Sequence, residues 1–218
     1  TAFDITTAVY DNVSFYVGDQ EGTPHGITFN NDGTKTYVVG TSNRMVYQYS
    51  LSTAFDISSY SIKQKYVGDQ EITPHGITFN NDGTKMYVIG ISTDRVYQYS
   101  LSTAFDITTA VYDNVSFYVG GQETNPYGMA FNNDGTKMYV IGYSSDRVHQ
   151  YSLSTAFDIT TAVYDNVSFY VGDQEVTPRG ITFNNDGTKM YVVGTSNRMV
   201  YQYSLPFASA SILPIEDT

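Results

Sequence analysis

An all-β fold of four-stranded antiparallel sheets set around a common axis is predicted by three features of the chain. The first is a tandem repeat: TAFDI recurs at Thr1, Thr53, Thr103 and Thr155, so units of 50 to 52 residues follow one another as far as residue 206. Within each unit, four short runs alternate apolar and polar residues between turn residues, which is the period of half-buried strands. Finally, a single sheet of this size cannot bury both of its faces unless a neighbouring copy covers it. These features together predict a four-bladed β-propeller. Residues 1–206 form one domain of four repeats (1–52, 53–102, 103–154 and 155–206), followed by a C-terminal tail at 207–218.

The elements follow in order from the second copy. HGITFN, ending at Asn80, reads as the inner strand. Asp82-Gly83 then turns the chain, with a type I′ hairpin expected because Asp and Gly tolerate positive φ, and KMYVIG resumes the alternation. RVYQYSL supplies a third strand, and after the TAFDI loop VSFYVG supplies the outer one. Each copy therefore starts with an outer strand, and the chain ends its last full copy on a third strand. If residues 9–18 pair beside residues 199–205, the N-terminal strand completes the last blade and closes the ring, satisfying both edges. Two other closures stay open: residues 207–213 could be the last outer strand, although Pro206 interrupts the pattern, or two chains could share an eight-bladed ring.

Composition narrows the function. The chain carries 22 acidic against 11 basic residues, a formal net charge of −11 that disfavours nucleic acid and anionic membrane surfaces. It has no cysteine, and no apolar run approaches the roughly 20 residues of a membrane-spanning helix. Thr1 is neither an initiator Met nor part of a basic leader, as expected of a processed or excised portion. Tyrosine is abundant, at 21 residues, and falls at repeat-related positions such as Tyr37 and Tyr87, where strand propensity and packing between sheets account for it.

The segment TPHGITFNNDGTKMYVIG resembles the propeller repeats named for their YVTN or NHL motifs, with a Pro-x-Gly-Ile start, an Asp-Gly turn and a Tyr-Val second strand. KMYVIGYSSDRVHQYSLSTAFDI is similar to tandem repeats of structural proteins of marine bacteriophages. The first resemblance covers all four copies, and the second implies a viral structural protein, located in a virion or outside a cell. It speaks to fold more than to activity.

Candidate site residues emerge where the copies disagree. The position preceding the inner-strand glycine is His25, His75, Tyr127 or Arg179, at the mouth of the central channel. The loop between second and third strands reads GTSNRM in copies one and four, which puts Asn43, Arg44, Asn197 and Arg198 on the same face, with Tyr143 from copy three. Asp94 and Asp146 are expected to neutralise the adjacent Arg95 and Arg147, leaving Arg44, Arg179, Arg198 and His25 as a positive region on an acidic protein. Planar hydrogen-bonding groups beside aromatic faces suit a glycan or another surface ligand, and repetition would add avidity. Copies one and four differ in their first 51 positions only at Gly22/Val176, His25/Arg179 and Thr36/Met190.

No metal or cofactor is expected. Asp19/Glu21 and their equivalents are acidic pairs in loops, read as turn caps, and the Asn-Asn-Asp-Gly segments fail as a calcium loop because Val39 stands where a bidentate Glu is required. Serine-nucleophile, phosphate-loop and zinc motifs are missing, and His25, His75 and His149 have no dedicated carboxylate in the sequence pattern. Asn12, Asn114 and Asn166 fit a glycosylation acceptor pattern and read more simply as turns before the outer strand. The function expected is a non-catalytic, lectin-like recognition or adhesion module of carbohydrate-binding type, with a structural spacer as the alternative and a lactonase-like hydrolase third. The oligomeric state is left open.

Overall fold

The computed structural model describes residues 9–205. Blade 1 contains β1 (Pro24–Phe29), β2 (Lys35–Gly40), β3 (Met45–Thr53) and β4 (Asp56–Tyr66). Blade 2 contains β5 (Pro74–Phe79), β6 (Lys85–Gly90), β7 (Arg95–Leu101) and β8 (Ala110–Tyr118). Blade 3 follows with β9 (Pro126–Phe131), β10 (Lys137–Gly142), β11 (Arg147–Leu153) and β12 (Ala162–Tyr170), and blade 4 with β13 (Pro178–Phe183), β14 (Lys189–Gly194) and β15 (Val200–Ser204). Every pairing is antiparallel, and the inner-to-outer order is the chain order, with each outer strand drawn from the start of the next copy. The four sheets are arranged as a four-bladed β-propeller.

The blades are joined face to face by repeat-related residues. Tyr37, Val39 and Val46 of blade 1 pack on Ile77, Met86 and Val88 of blade 2. Ile89 and Val96 then meet Met129, Met138 and Val140, and Ile141 and Val148 meet Met190 and Val192. Burial of each such side chain contributes about 1.5–3 kcal/mol. The inner strands approach closely because of their glycines: a Cβ on Gly26 would lie 2.6 Å from the His75 carbonyl oxygen, and one on Gly76 2.8 Å from that of Tyr127. Two further contacts tie consecutive blades. Tyr37 donates its hydroxyl to the Phe105 carbonyl at 2.6 Å, and the Asn31 side-chain amide donates to the Asn81 carbonyl at 2.5 Å, with Asn81 to Asn133 repeating the latter.

The structure corrects the sequence-based expectation in several places. Residues 9–18 are not paired with residues 199–205, and the last blade has three strands among the described residues. The N-terminal segment is instead seated on blade 1, where Phe15 packs on Tyr49 at 4.8 Å and on Tyr60 at 4.6 Å between ring centroids. The burial of Phe15 and Val17 against that face holds the segment there without ladder hydrogen bonds. Residues 207–213 and the 207–218 tail lie outside the described residues.

The hairpin turns are not type I′, since only the glycine has positive φ, +70° at Gly33 and +71° at Gly83. Asp32 accepts from the Thr34 N–H at 2.9 Å and its hydroxyl at 2.6 Å, while the Asn30 side chain accepts from the Lys35 N–H at 2.9 Å. These side-chain bonds hold a turn closed by Gly33 N–H to Asn30 carbonyl, with glycine alone in the left-handed region. Asn114 and Asn166, at φ 57° and 58°, form bulges inside the outer strands rather than turns before them. The second copy, shorter by two residues, pairs through the same region without that bulge, Gln48 opposite Lys63 and Tyr49 opposite Ile62.

Candidate functional site

Each copy contributes one side chain to the mouth of the channel because a short inner strand begins immediately after the loop that carries it. The four form a continuous string. The His25 and His75 rings lie 4.2 Å apart, His75 meets Tyr127 edge-on at 4.3 Å, and the Arg179 guanidinium sits over the Tyr127 ring at 4.1 Å. Below them is a cavity of about 450 Å³ lined by all four inner strands and by Tyr191, Val193 and Val200 of blade 4. The walls combine apolar side chains with the inner-strand threonines Thr28, Thr78 and Thr182.

The electrostatics of the string are set by burial and by Arg179. Burial holds the His75 imidazole down to about 4; the hydrogen bond from its Nδ1 to the Thr73 carbonyl at 2.7 Å acts in the opposite direction, and neighbouring His25 and Arg179 lower it further. With Nδ1–H donating, Nε2 is left as an acceptor on a neutral ring. His25 is lowered by burial and by Arg179, against a smaller opposing effect of Glu21. The fixed cation of the mouth is therefore Arg179, steadied by Tyr127 and by a 3.4 Å contact from Nε to the Thr195 hydroxyl.

The other sequence-predicted residues are distributed around this string. Tyr143 lies next to Tyr127, 6.2 Å between centroids, and is exposed. Asn43 and Asn197 have structural duties: their side-chain amides donate to the carbonyls of Gln20 and Gln174, and their backbone N–H groups to Glu21 and Glu175. Arg44 and Arg198 occupy left-handed turn positions, at φ 58° and 56°, and do not line the cavity. The expected Asp–Arg neutralisation is not made. Arg95 lies over Tyr118 at 5.4 Å and Arg147 over Tyr170 at 5.3 Å, while Asp94 and Asp146 are raised by burial and nearby carboxylates. An arginine following a left-handed aspartate is directed toward the outer strand instead, where Ser116 and Ser168 accept its guanidinium at 3.2 Å.

Sequence reasoning read the carboxylates that build this face as turn caps, which they are, but as solvated ones, which they are not. Glu21, Glu71, Glu123 and Glu175 are fully buried, each accepting backbone N–H groups from both top loops of its blade. Glu71, for example, accepts from the N–H groups of Thr73 at 2.8 Å and Ser92 at 3.1 Å, and from the Thr93 hydroxyl at 2.7 Å. The available signal was repetition: this glutamate is kept in all four copies, whereas the neighbouring acid of the pair becomes Gly121 in the third. Among the described residues, no group of three or more His, Asp or Glu side chains gathers to hold a metal ion. His149, on β11, is buried and contacts the Ser145 hydroxyl through Nε2 at 3.0 Å, away from the mouth string.

No family model and no curated protein sequence matches the chain. Solved structures do match in fold. A candidate 6-phosphogluconolactonase of Bacteroides uniformis ATCC 8492 aligns at a TM-score of 0.58 and 13% identity, over 84% of this chain and 51% of that one. The β-propeller domain of Myceliophteria thermophila Cps50 (Swd1) aligns at 0.53 and 10% identity, covering 84% and 54%, and a chain of the nidogen/laminin complex at 0.53 and 17%, covering 83% and 60%. At these identities the likeness is one of fold. The chain spans about half the length of the propellers it matches.

Proposed function

We propose that this chain is a non-catalytic recognition or adhesion module of a virion or extracellular assembly, binding a glycan or another hydroxyl-rich or anionic surface ligand at the channel mouth. The observation that carries this reading is the unbroken string from His25 through His75 and Tyr127 to Arg179 above the cavity. Aromatic edges and faces offer contact to the apolar side of a sugar ring, while Arg179 and the free Nε2 of His75 supply a fixed donor and a fixed acceptor. Because Tyr127 already holds the guanidinium in place, little side-chain entropy remains to be lost on binding. Exposed Tyr143 extends the same surface outward.

A binding role is favoured over hydrolysis by how the titratable groups are used. The buried glutamates are consumed by backbone N–H groups, and the His75 Nδ1 is held by a backbone carbonyl rather than by a carboxylate that would raise its basicity. Structures similar in fold include both a candidate lactonase and a component of a complex with laminin.

Screening of the folded protein on a glycan array, followed by melting with each hit, tests the proposal. A binder must be stabilised by its ligand through mass action, and Arg179→Ser, at a half-buried position, should abolish the shift while leaving the unliganded melting temperature close to that of the wild type. Absence of any hit favours the spacer role, and turnover in a lactone and ester panel that is lost in His75→Tyr favours the enzyme.

A further inference from the structure

The contacts that join consecutive blades are directional, and each blade has one face that gives and one that receives. The giving face carries an amide (Asn31, Asn81), a tyrosine hydroxyl (Tyr37, Tyr87), a close-approach glycine (Gly26, Gly76, Gly128) and a pair of aliphatic side chains (Val39 and Val46, Ile89 and Val96, Ile141 and Val148). The receiving face offers the carbonyls of the next copy and an apolar floor. Blade 4 presents the same giving face, with Asn185, Tyr191, Gly180, Val193 and Val200, and among the described residues no blade is applied to it. A Cβ on Gly180 would meet only Val193 of its own blade, whereas one on Gly128 would lie 2.5 Å from the carbonyl of the next blade. Val193 and Val200 are 42% and 54% exposed, although Val39 and Val46 are fully buried.

Blade 1 shows the matching vacancy on its receiving side. Ile27 is 65% exposed while its equivalent Ile77 is 6% exposed, and Phe55, whose equivalents are partly buried, also faces solvent. Beside Ile27 an apolar cleft of about 320 Å³ runs between β1 and the N-terminal segment, lined by Phe15, Val17, Val38 and Ile57. That segment is already in place to be an outer strand. Phe15 packs on Tyr49 as Phe117 of β8 packs on Tyr151 of the following blade, at 4.8 Å and 5.4 Å. What it lacks is the third strand to pair with, and the outer edge of β15 is unpaired among the described residues.

We infer that a second copy of this chain completes the ring, with blade 4 of each copy docked on blade 1 of the other in a two-fold, eight-bladed propeller. The interface required is the equivalent of the one already made three times within the chain, with Thr36 in blade 1 where the receiving faces of blades 2, 3 and 4 have Met86, Met138 and Met190; copies one and four differ at only three positions. By that equivalence β15 pairs with the partner's N-terminal segment in the register that joins Val96 to Phe117, bringing Val200 opposite Phe15. Head-to-tail contacts of this kind close when the rotation per chain is right, and the chain aligns with about half of larger propellers. The inference rests on the blade faces, and because Val193 and Val200 also line the cavity below the mouth, its test reads mass in solution rather than ligand binding. It also completes the mouth, since each Arg179 would be followed by a second His25.

The test is the mass in solution. Sedimentation of the chain over a wide concentration series should give a species of twice 24.2 kDa. Val193→Asp combined with Val200→Asp should keep the β circular dichroism signal, because both positions are exposed within one chain, but weaken association by about a hundredfold or more. Gly180→Leu, which fills the space intended for the next copy's carbonyl, should do likewise. Val39→Asp, at the equivalent position inside the chain, should unfold rather than dissociate it. A wild-type chain that stays at 24.2 kDa overturns the inference, as does an open series of larger species or a dimer that survives both the valine pair and Gly180→Leu.

Discussion

Replacing Glu71 by Ala should be among the most damaging single changes on the top face, although the residue sits in a loop. Its carboxylate is fully buried and accepts from two backbone N–H groups, Thr73 at 2.8 Å and Ser92 at 3.1 Å, as well as from the hydroxyls of Thr73, Ser92 and Thr93. Hydroxyls can rotate to other acceptors, but the two N–H groups cannot. Each would be left without a partner at about 1–3 kcal/mol, so the loss is about 2–6 kcal/mol, reduced somewhat because the desolvation cost of the carboxylate disappears with it. A net loss of about 3 kcal/mol is expected, a large part of the 5–15 kcal/mol typical of a folded domain. Urea unfolding of Glu71→Ala against wild type measures it, with exposed Asp69→Ala as a control that should stay within about 0.5 kcal/mol. A Glu71→Ala midpoint indistinguishable from the Asp69 control would show that the carboxylate does not hold the two loops together.

The carboxylate of Glu71 also carries a pH signature: burial alone would raise it, but the hydrogen bonds from Ser92, Thr93 and Thr73 hold it below its ordinary range, so its stabilisation is present above that range and disappears as pH falls through the lowered value. His75 adds a second acid-side loss. The unfolded chain binds its proton below about 6.5 while the native ring resists until about 4, so stability should decline as pH falls across that window; His75→Tyr should flatten the decline, and an unchanged pH profile would disprove the assignment. Tyr37→Phe removes the 2.6 Å bond to the Phe105 carbonyl between blades 1 and 2 and should cost about 1–2 kcal/mol in chemical denaturation, with a wild-type midpoint counting against the contact.

The strands and their order were legible because they follow from local pattern and from repetition. Alternation placed Val39, Val46 and Tyr37 on one face, and the recurrence of TAFDI required neighbours to cover it. The site was legible in part for a similar reason: His25, His75, Tyr127 and Arg179 were singled out by disagreement at a position whose backbone role is constant, and the shared strand start brings them into line. The turn type was missed because Asp32 and Asn30 spend their side chains on nearby N–H groups, a choice that the Asp-Gly pair alone does not reveal. The burial of the turn-capping glutamates was missed because a carboxylate following Gln in a polar loop looks solvated until two loops are folded over it.

Closure was the least legible property, and the reason lies in the repeat itself. Blades so nearly identical carry nearly identical giving and receiving faces, so the sequence specifies what each face binds but not whether the partner is the same chain or another copy. The inferred second copy answers to the geometry of the arc. Residues 9–18 satisfy their hydrophobic requirement on blade 1 without reaching β15, and Val193 and Val200 are left exposed on the open face of blade 4 beside the cavity. A contracted ring would have to bring Gly180 against the His25 carbonyl as closely as Gly128 meets that of Arg179, bending every other interface to do so. Those interfaces are close-packed, with buried Met86, Met138 and Met190 filling them, so closing the arc within one chain would strain each of them, which is the physical ground for the second half-ring inferred above.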